Sequence, residues 1–259
     1  MDSIGAKILE DCEKLKIARN QIVDWVLLES DVKANGDFCE SLLRLLEQLR
    51  ELKSRPPQLN SWNDAWFEAH SVFVYETFLY ITAALLKTGS CDTLHEIFTS
   101  YYLRPVSERY SGDKFDNFGC FYGYSEALQS VLAPAGKKLY SPSAELIKKQ
   151  ADRDDLPFSA LVEAELLILL MALVIPDAQW YPQTLFYSSH SEFPFFIRAT
   201  QHKHFLRLAT ITGINGADDL RDAVKAGFDR LNVQRWYDFR MGSISFWHLM
   251  NMEKLDSLK

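Results

Sequence analysis

Two segments of this chain are apolar on almost every side, and this feature restricts the possible folds more than any other. One runs from residue 61 to about residue 87, and the other, Leu166 to Ile175, is the longest apolar run in the sequence. A helix without a polar face lies inside a protein and is covered on several sides. Ten residues of helix span about 15 Å, roughly half of a bilayer core. We therefore expect Leu166–Ile175 to lie in a buried core helix, and we expect no contact with a membrane.

The remaining segments have apolar residues at the spacing of amphipathic helices, which can pack around such a core. Apolar residues recur every three or four positions, which is the period of an amphipathic helix. Glycine (11) and proline (9) are scarce, which argues against a turn-rich all-β chain. The sequence therefore predicts an all-α fold, a multi-helix bundle with long aromatic-rich loops. The predicted helices cover residues 4–29, 38–52, 61–87, 92–103, 126–132, 143–150, 157–174, 194–212, 220–231 and 243–258.

A polar run divides the predicted helices into two groups. Residues 150–157 contain three aspartates and one arginine and lack the apolar spacing of a helix. This composition is typical of a linker. The chain is therefore expected to form two helical subdomains, 1–150 and 151–259, or to continue through this point as one domain.

The N-terminus and the cysteines indicate the compartment. Acidic and lysine residues interrupt the first eleven positions, so this segment lacks the unbroken apolar stretch of a signal peptide. The four cysteines are widely spaced and form no C-x-x-C pair, which fits neither a disulfide framework nor a zinc site. We expect free thiols in a reducing cytoplasm, no metal site and no cofactor.

The common catalytic and nucleotide-binding motifs are absent from the sequence. It contains no P-loop, no glycine fingerprint of a dinucleotide-binding fold and no serine nucleophile elbow. The paired Glu-x-x-His motifs of di-iron bundles are absent as well. These absences favour a non-enzymatic protein.

One basic segment resembles a catalytic motif. Arg198 and His204, with five residues between them, are similar to the R-x(4–6)-H pattern of the HEPN superfamily of all-helical ribonucleases. The resemblance covers seven residues and implies metal-independent RNA cleavage across a dimer. Arg198 would then stabilise the phosphate charge and His204 would act as acid or base. The family commonly has a polar residue where this chain has Ala199, and a solvated basic helix face is the alternative interpretation.

Two segments, 101–124 and 180–187, combine aromatic residues in patterns that fit no regular helix. Aromatic rings interleaved with cations can stack a base and hold its phosphate. Tyrosine, phenylalanine, tryptophan and arginine also anchor protein interfaces, and a loop folded over the core is the third interpretation. The candidate ligand-binding or partner-binding residues are Arg104, Arg109, Tyr110, Phe118, Tyr122, Trp180 and Tyr187.

The charge is distributed unevenly along a chain of net charge −7. From residue 180 onward there are ten basic and eight acidic residues, whereas the preceding part has 18 basic and 27 acidic residues. An acidic protein of this kind is unsuited to coating nucleic acid in general. The basic C-terminal third nevertheless leads to a hypothesis. This third would make a local contact with nucleic acid or with an acidic surface.

Three functions from different classes follow from these observations. The first is a non-enzymatic helical module that binds a protein partner, or another copy of itself, within a larger assembly. The second is a HEPN-like ribonuclease that uses Arg198 and His204, and the third is a sensor of a nucleotide or another small ligand. A helix-rich chain with Trp180-Tyr181-Pro182 and a basic C-terminal end also suits an accessory domain of prokaryotic stress or defence systems.

Overall fold

The all-α prediction is confirmed. The structure is a computed structural model in which helices account for 70% and strands for 3% of the protein. It describes residues 3–32, 36–54, 58, 61, 63–106, 108, 114–133, 135–189, 192–232 and 245–258.

The helices follow the predicted order along the chain, with one small hairpin between them. The α-helices are α1 (Ser3–Asp31), α2 (Gly36–Leu52), α3 (Glu68–Thr88), α4 (Cys91–Thr99), α5 (Gln129–Leu132), α6 (Pro142–Gln150), α7 (Phe158–Val174), α8 (Pro194–Arg198), α9 (His202–Thr212), α10 (Ala217–Leu231) and α11 (Phe246–Leu249). The strands are β1 (Tyr102–Leu103) and β2 (Phe115–Asp116), which pair antiparallel. Short 3-10 helices cover Asp64–Phe67, Phe118–Phe121, Thr184–Tyr187 and Met252–Lys254.

Three predicted helices have the wrong extent. The helix expected over 92–103 ends at Thr99, because the next residues pair with β2. The helix expected over 194–212 is interrupted between α8 and α9. In the described part of the helix expected over 243–258, α11 ends at Leu249, Asn251 adopts a left-handed conformation, and a 3-10 helix covers Met252–Lys254.

The two apolar segments form the centre of the fold, as predicted. Helix α3 packs against α7, α1 lies along α3, and α10 covers α7. The segment Asp64–Thr88 is long and apolar enough to cross a membrane, but 83% of its most apolar window is buried inside the protein. This burial is the arrangement of a core helix.

The described residues on both sides of the predicted boundary share one core. A single cluster of buried side chains extends from Val23 in α1 to Leu255 near the C-terminus. The predicted linker contacts α1 through ion pairs of Asp152 with Lys16 and of Arg153 with Asp24. These contacts attach residues 151–157 to the N-terminal helix.

One glycine allows the close approach of α10 to α7. A Cβ atom at Gly227 would lie 2.2 Å from the carbonyl oxygen of Leu173. No side chain fits at that distance, so the backbones of the two helices can meet only at a glycine. The contact fixes the position of α10 along the central helix.

A buried ion pair joins α1 to α3. The Arg19 guanidinium donates to the Glu76 carboxylate, and both side chains are almost completely shielded from solvent. Arg19 also lies over the ring of Tyr80, with 4.4 Å between Cζ and the ring centroid. Burial raises the pKa of Glu76, and the adjacent guanidinium opposes that shift. Each charge therefore depends on the other.

We expect Arg19→Met to lower the free energy of unfolding by about 3–5 kcal/mol, because it leaves Glu76 buried and unpaired. The loss should be larger at pH 8 than at pH 5. A carboxyl whose pKa is raised by folding destabilises the folded state once the pH exceeds its unfolded pKa of about 4.3.

Urea unfolding at both pH values measures this loss. The double variant Arg19→Met/Glu76→Leu should recover most of it, because no buried charge remains. Arg44→Met is the matched control, since it removes an exposed pair with Glu40 worth about 0.5 kcal/mol. An equal loss in both arginine variants would contradict the prediction.

Candidate functional site

Three of the predicted aromatic site residues, Trp180, Phe118 and Tyr122, pack together in the core or against it. Trp180 and Phe118 are fully buried, and Tyr122 is half-buried against the same cluster. The ring centroid of Trp180 lies 5.3 Å from that of Tyr122, 5.7 Å from that of Tyr75 and 6.4 Å from that of Phe118. The buried rings of Trp180 and Phe118 therefore present no face to a ligand or a partner.

A buried carboxylate at the centre of α7 organises this cluster. Glu165 is fully buried and accepts hydrogen bonds from the Tyr75 hydroxyl and from Trp180 Nε1 at 3.2 Å. It also accepts from the backbone N–H groups of Gln183 at 3.0 Å and of Thr184 at 2.7 Å, and from the Thr184 hydroxyl at 2.6 Å. Burial raises the pKa of Glu165, and these donors oppose the shift. None of the five donor groups carries a charge.

The 3-10 segment that contains Tyr187 is attached to α6. The Tyr187 hydroxyl donates to the carbonyl oxygen of Ser141 at 2.9 Å and accepts from its N–H at 3.2 Å. The Ser141 hydroxyl donates to the Gln183 side chain at 2.6 Å, and Gln183 donates to the carbonyl oxygen of Gly123 at 2.8 Å. These bonds connect residues 183–187 to Ser141 before α6 and to Gly123.

Arg104 belongs to a charged network that fixes the hairpin to α2. Its Nε donates to Asp116 at 2.8 Å, and Arg50 donates to the other Asp116 oxygen at 3.2 Å. Arg50 also pairs with Glu108. Burial disfavours the charged Glu108 carboxylate, but hydrogen bonds from Arg50 and Ser54 lower its pKa below the ordinary value. Of the other candidates in this segment, Arg109 and Tyr110 lie outside the described residues.

The outer face of the hairpin carries exposed apolar side chains. Leu103 and Phe115 are opposite each other in the strand pair, and Tyr101 precedes them on the same side of the alternating chain. Tyr101 is 63%, Leu103 37% and Phe115 53% exposed, whereas Tyr102 between them is buried. We call Tyr101, Leu103 and Phe115 the hairpin face. The alternation of side chains along a strand is the sequence signal for it, and the helix predicted over 92–103 obscured that signal.

Arg198 and His204 line one cavity of about 370 Å³. The cavity lies between the end of α3, the start of α7, α8 and α9, and Lys87 and Arg207 also line it. Burial lowers the pKa of His204, and the positive charges of Lys203, Arg198 and Arg207 lower it further. The predicted catalytic pair is therefore in one place, in a positive electrostatic environment.

The break between α8 and α9 accounts for this juxtaposition. Six residues on a continuous helix rotate a side chain by about 240°, so one straight helix would place the pair on different faces. The C-terminal segment prevents that helix, because the backbone N–H of Asp256 donates to the Ala199 carbonyl oxygen and the backbone N–H of Leu258 to that of Thr200, both at 3.0 Å. The carbonyl groups that would continue the helix are thus occupied by residues from the end of the chain.

Other arginines of the basic C-terminal third are used inside the fold. Arg221 donates to the carbonyl oxygens of Met252 at 2.7 Å and Leu255 at 2.8 Å. Arg230 donates to the carbonyl oxygens of Ala172 and Ile175 at the end of α7. These cations secure the C-terminal segment and the end of α7.

The chain matches no protein-family model, no curated protein and no solved structure. The functional assignment therefore depends on the geometry and chemistry of the hairpin face and of the cavity.

We expect Glu165→Gln to destabilise the protein by about 2–4 kcal/mol. The side-chain NH₂ group of the glutamine would face the N–H and O–H donors that now bond to Glu165. A buried donor without an acceptor costs about 1–3 kcal/mol. Thr184→Val removes one donor and leaves the acceptor with its other partners, so it should cost only about 1 kcal/mol. Urea unfolding compares the two variants, and equal stability of Glu165→Gln and the wild type would refute the role of the carboxylate.

Proposed function

We propose that this protein is a non-enzymatic helical interaction module and that its hairpin face docks onto a short apolar segment of a partner protein. The observation that supports the proposal is the exposure of Tyr101, Leu103 and Phe115 side by side. Aromatic and aliphatic side chains in one patch are the usual anchors of a protein interface.

The size of the hairpin face favours a short segment over a second copy of the chain. Three such side chains expose on the order of 300 Å², whereas a stable protein interface takes about 800 Å² from each partner. A patch of this size suits a reversible contact with a peptide segment.

The hairpin face is also held in place before any partner arrives. Arg50 and Arg104 both donate to Asp116 in β2, and Glu47 of α2 accepts from the N–H of Leu103 at 3.1 Å. A preformed surface loses little conformational entropy when it binds. This rigidity supports docking without a folding step.

The free cysteines support a reducing compartment for this module. Cys12, Cys39, Cys91 and Cys120 are all unpaired, and two of them are buried. We therefore propose a cytoplasmic location. The helix-rich chain with its basic C-terminal end further suits an assembly of the kind found in prokaryotic stress or defence systems.

A photo-reactive amino acid at position 115 tests the docking proposal in the protein's own host. We expect a cross-linked adduct with another protein from position 115 and none from position 17, since Ile17 is a similarly exposed apolar residue on α1. Peptide mapping of the adduct then identifies the segment bound. An adduct with a second copy of this chain, or with RNA, would overturn the proposal.

Binding of a synthetic peptide of the mapped segment gives a quantitative test. Phe115→Asp and Tyr101→Ser should each raise the dissociation constant at least tenfold, because loss of an interface hot-spot residue costs about 2 kcal/mol or more and a tenfold change corresponds to about 1.4 kcal/mol. Ile17→Asp is the matched control and should leave binding unchanged. Equal affinity of Phe115→Asp and the wild type would show that the hairpin face is not the docking surface.

Metal-independent RNA cleavage is the second candidate function, and what favours it is that Arg198 and His204 line one cavity. In this hypothesis His204 acts as acid or base and Arg198 stabilises the phosphate charge. Arg198→Ala and His204→Ala should then each reduce cleavage of a fluorescent RNA in EDTA at least 100-fold. Arg44→Ala, on the exposed side of α2, should not. Cleavage that survives both cavity variants would remove this candidate.

A further inference from the structure

We infer that the cavity lined by Arg198 and His204 binds a small molecule that carries a phosphate group on an apolar or aromatic body, of the size of a nucleoside monophosphate. This site contains no residue of the hairpin face and does not depend on the docking proposal. The inference stands on the shape of the cavity, its cations and its apolar wall.

The cations of the cavity are only partly used by the protein. The Arg198 guanidinium makes no hydrogen bond or ion pair with any residue in the described part of the chain, and its charge acts on the nearby Glu163 carboxylate. Arg207 reaches the carbonyl oxygen of Leu86 only at 3.4 Å, and Lys87 donates to the backbone oxygen of Asp155 at 3.0 Å. Guanidinium groups with free N–H donors match the oxygens of a phosphate.

The two carboxylates of the cavity are already engaged. Asp155 accepts from Arg153 at 2.8 and 2.9 Å, and this bond is the main reason that its pKa is lowered. Glu163 accepts from the N–H of Phe195 at 2.6 Å, at the start of α8. The Asp155 carboxylate is therefore paired with Arg153. Burial raises the pKa of Glu163, whereas the Phe195 N–H and the charge of Arg198 oppose that shift. Arg198, His204 and Arg207 remain to receive an anion.

The apolar part of the cavity wall suits an apolar body. Ala83, Leu86, Leu156, Ala160 and Phe195 line it, and the Arg207 guanidinium lies 5.9 Å from the centroid of the Phe195 ring. The volume of about 370 Å³ is within the range of about 300–1,000 Å³ that small-molecule sites occupy. A bare inorganic anion would leave this wall uncovered, so the ligand carries an apolar or aromatic group.

His204 provides a direct reporter of an anion in the cavity. The carboxylates of Glu163 and Asp155 and the cations Lys87, Arg198 and Arg207 line the same cavity. Burial lowers the pKa of His204, and the positive charges of Lys203, Arg198 and Arg207 lower it further. A bound phosphate compensates those charges and stabilises the protonated imidazole.

Titration of the histidine Cε1–H resonances by NMR, with adenosine monophosphate as the probe, tests the inference. Saturating adenosine monophosphate should raise the midpoint of the His204 titration by about one pH unit, while adenosine should leave it unchanged. Inorganic phosphate should bind more weakly than the nucleotide. The His204→Gln variant assigns the resonance.

Calorimetry with matched variants completes the test. Arg198→Gln should weaken the binding of adenosine monophosphate at least tenfold, and Arg44→Gln, on the far exposed face of α2, should not. Unchanged His95 and His248 resonances verify that Arg198→Gln is folded. An unmoved His204 titration at 10 mM nucleotide, which is about the weakest useful range, would overturn the inference. Equal affinity of Arg198→Gln and the wild type would overturn it as well.

A binding measurement with single-stranded RNA distinguishes a phosphate group of a polymer backbone from that of a small molecule. If a ten-nucleotide RNA bound 100-fold more tightly than adenosine monophosphate in the same assay, the site would belong to a polymer backbone and the small-molecule inference would be wrong. Comparable or weaker binding of the RNA supports the small ligand.

Discussion

Much of this structure depends on the buried carboxylate of Glu165, which requires hydrogen-bond donors from other parts of the chain. It lies in the middle of an apolar helix, where an ionised group without partners is very unfavourable. The donors that satisfy it come from Tyr75 on α3 and from residues 180–184. The chain after α7 must therefore fold back over that helix, and α3 must lie beside it.

This requirement determines what happens to the aromatic residues. Trp180 is brought into the core because its indole N–H is one of the donors to Glu165, and Phe118 and Tyr122 pack around it. Gly123 allows the 118–124 segment to approach α3, since a Cβ there would lie 2.2 Å from the carbonyl oxygen of Ser71. Tyr101 and Phe115, in contrast, remain exposed at the hairpin.

The two candidate surfaces differ in chemistry. The hairpin face is apolar and preformed, which suits a protein segment, whereas the cavity combines cations with an apolar wall, which suits a phosphate-bearing molecule. The two surfaces have no residue in common. A protein that joins a docking surface to a ligand cavity can couple the two, provided that the ligand changes the population of a docking-competent state.

The sequence by itself determined the fold class and the central position of α3 and α7. Apolar periodicity is a local property, so it can be read without knowledge of the rest of the chain. Only the tertiary structure decided that Trp180 is buried while Tyr101 and Phe115 are exposed, and that Arg198 and His204 share one cavity. Those outcomes depend on hydrogen bonds between distant residues: the donors at 180–184 reach Glu165, and residues 256–258 interrupt the helix at 199–201. Periodicity contains no information about such pairings.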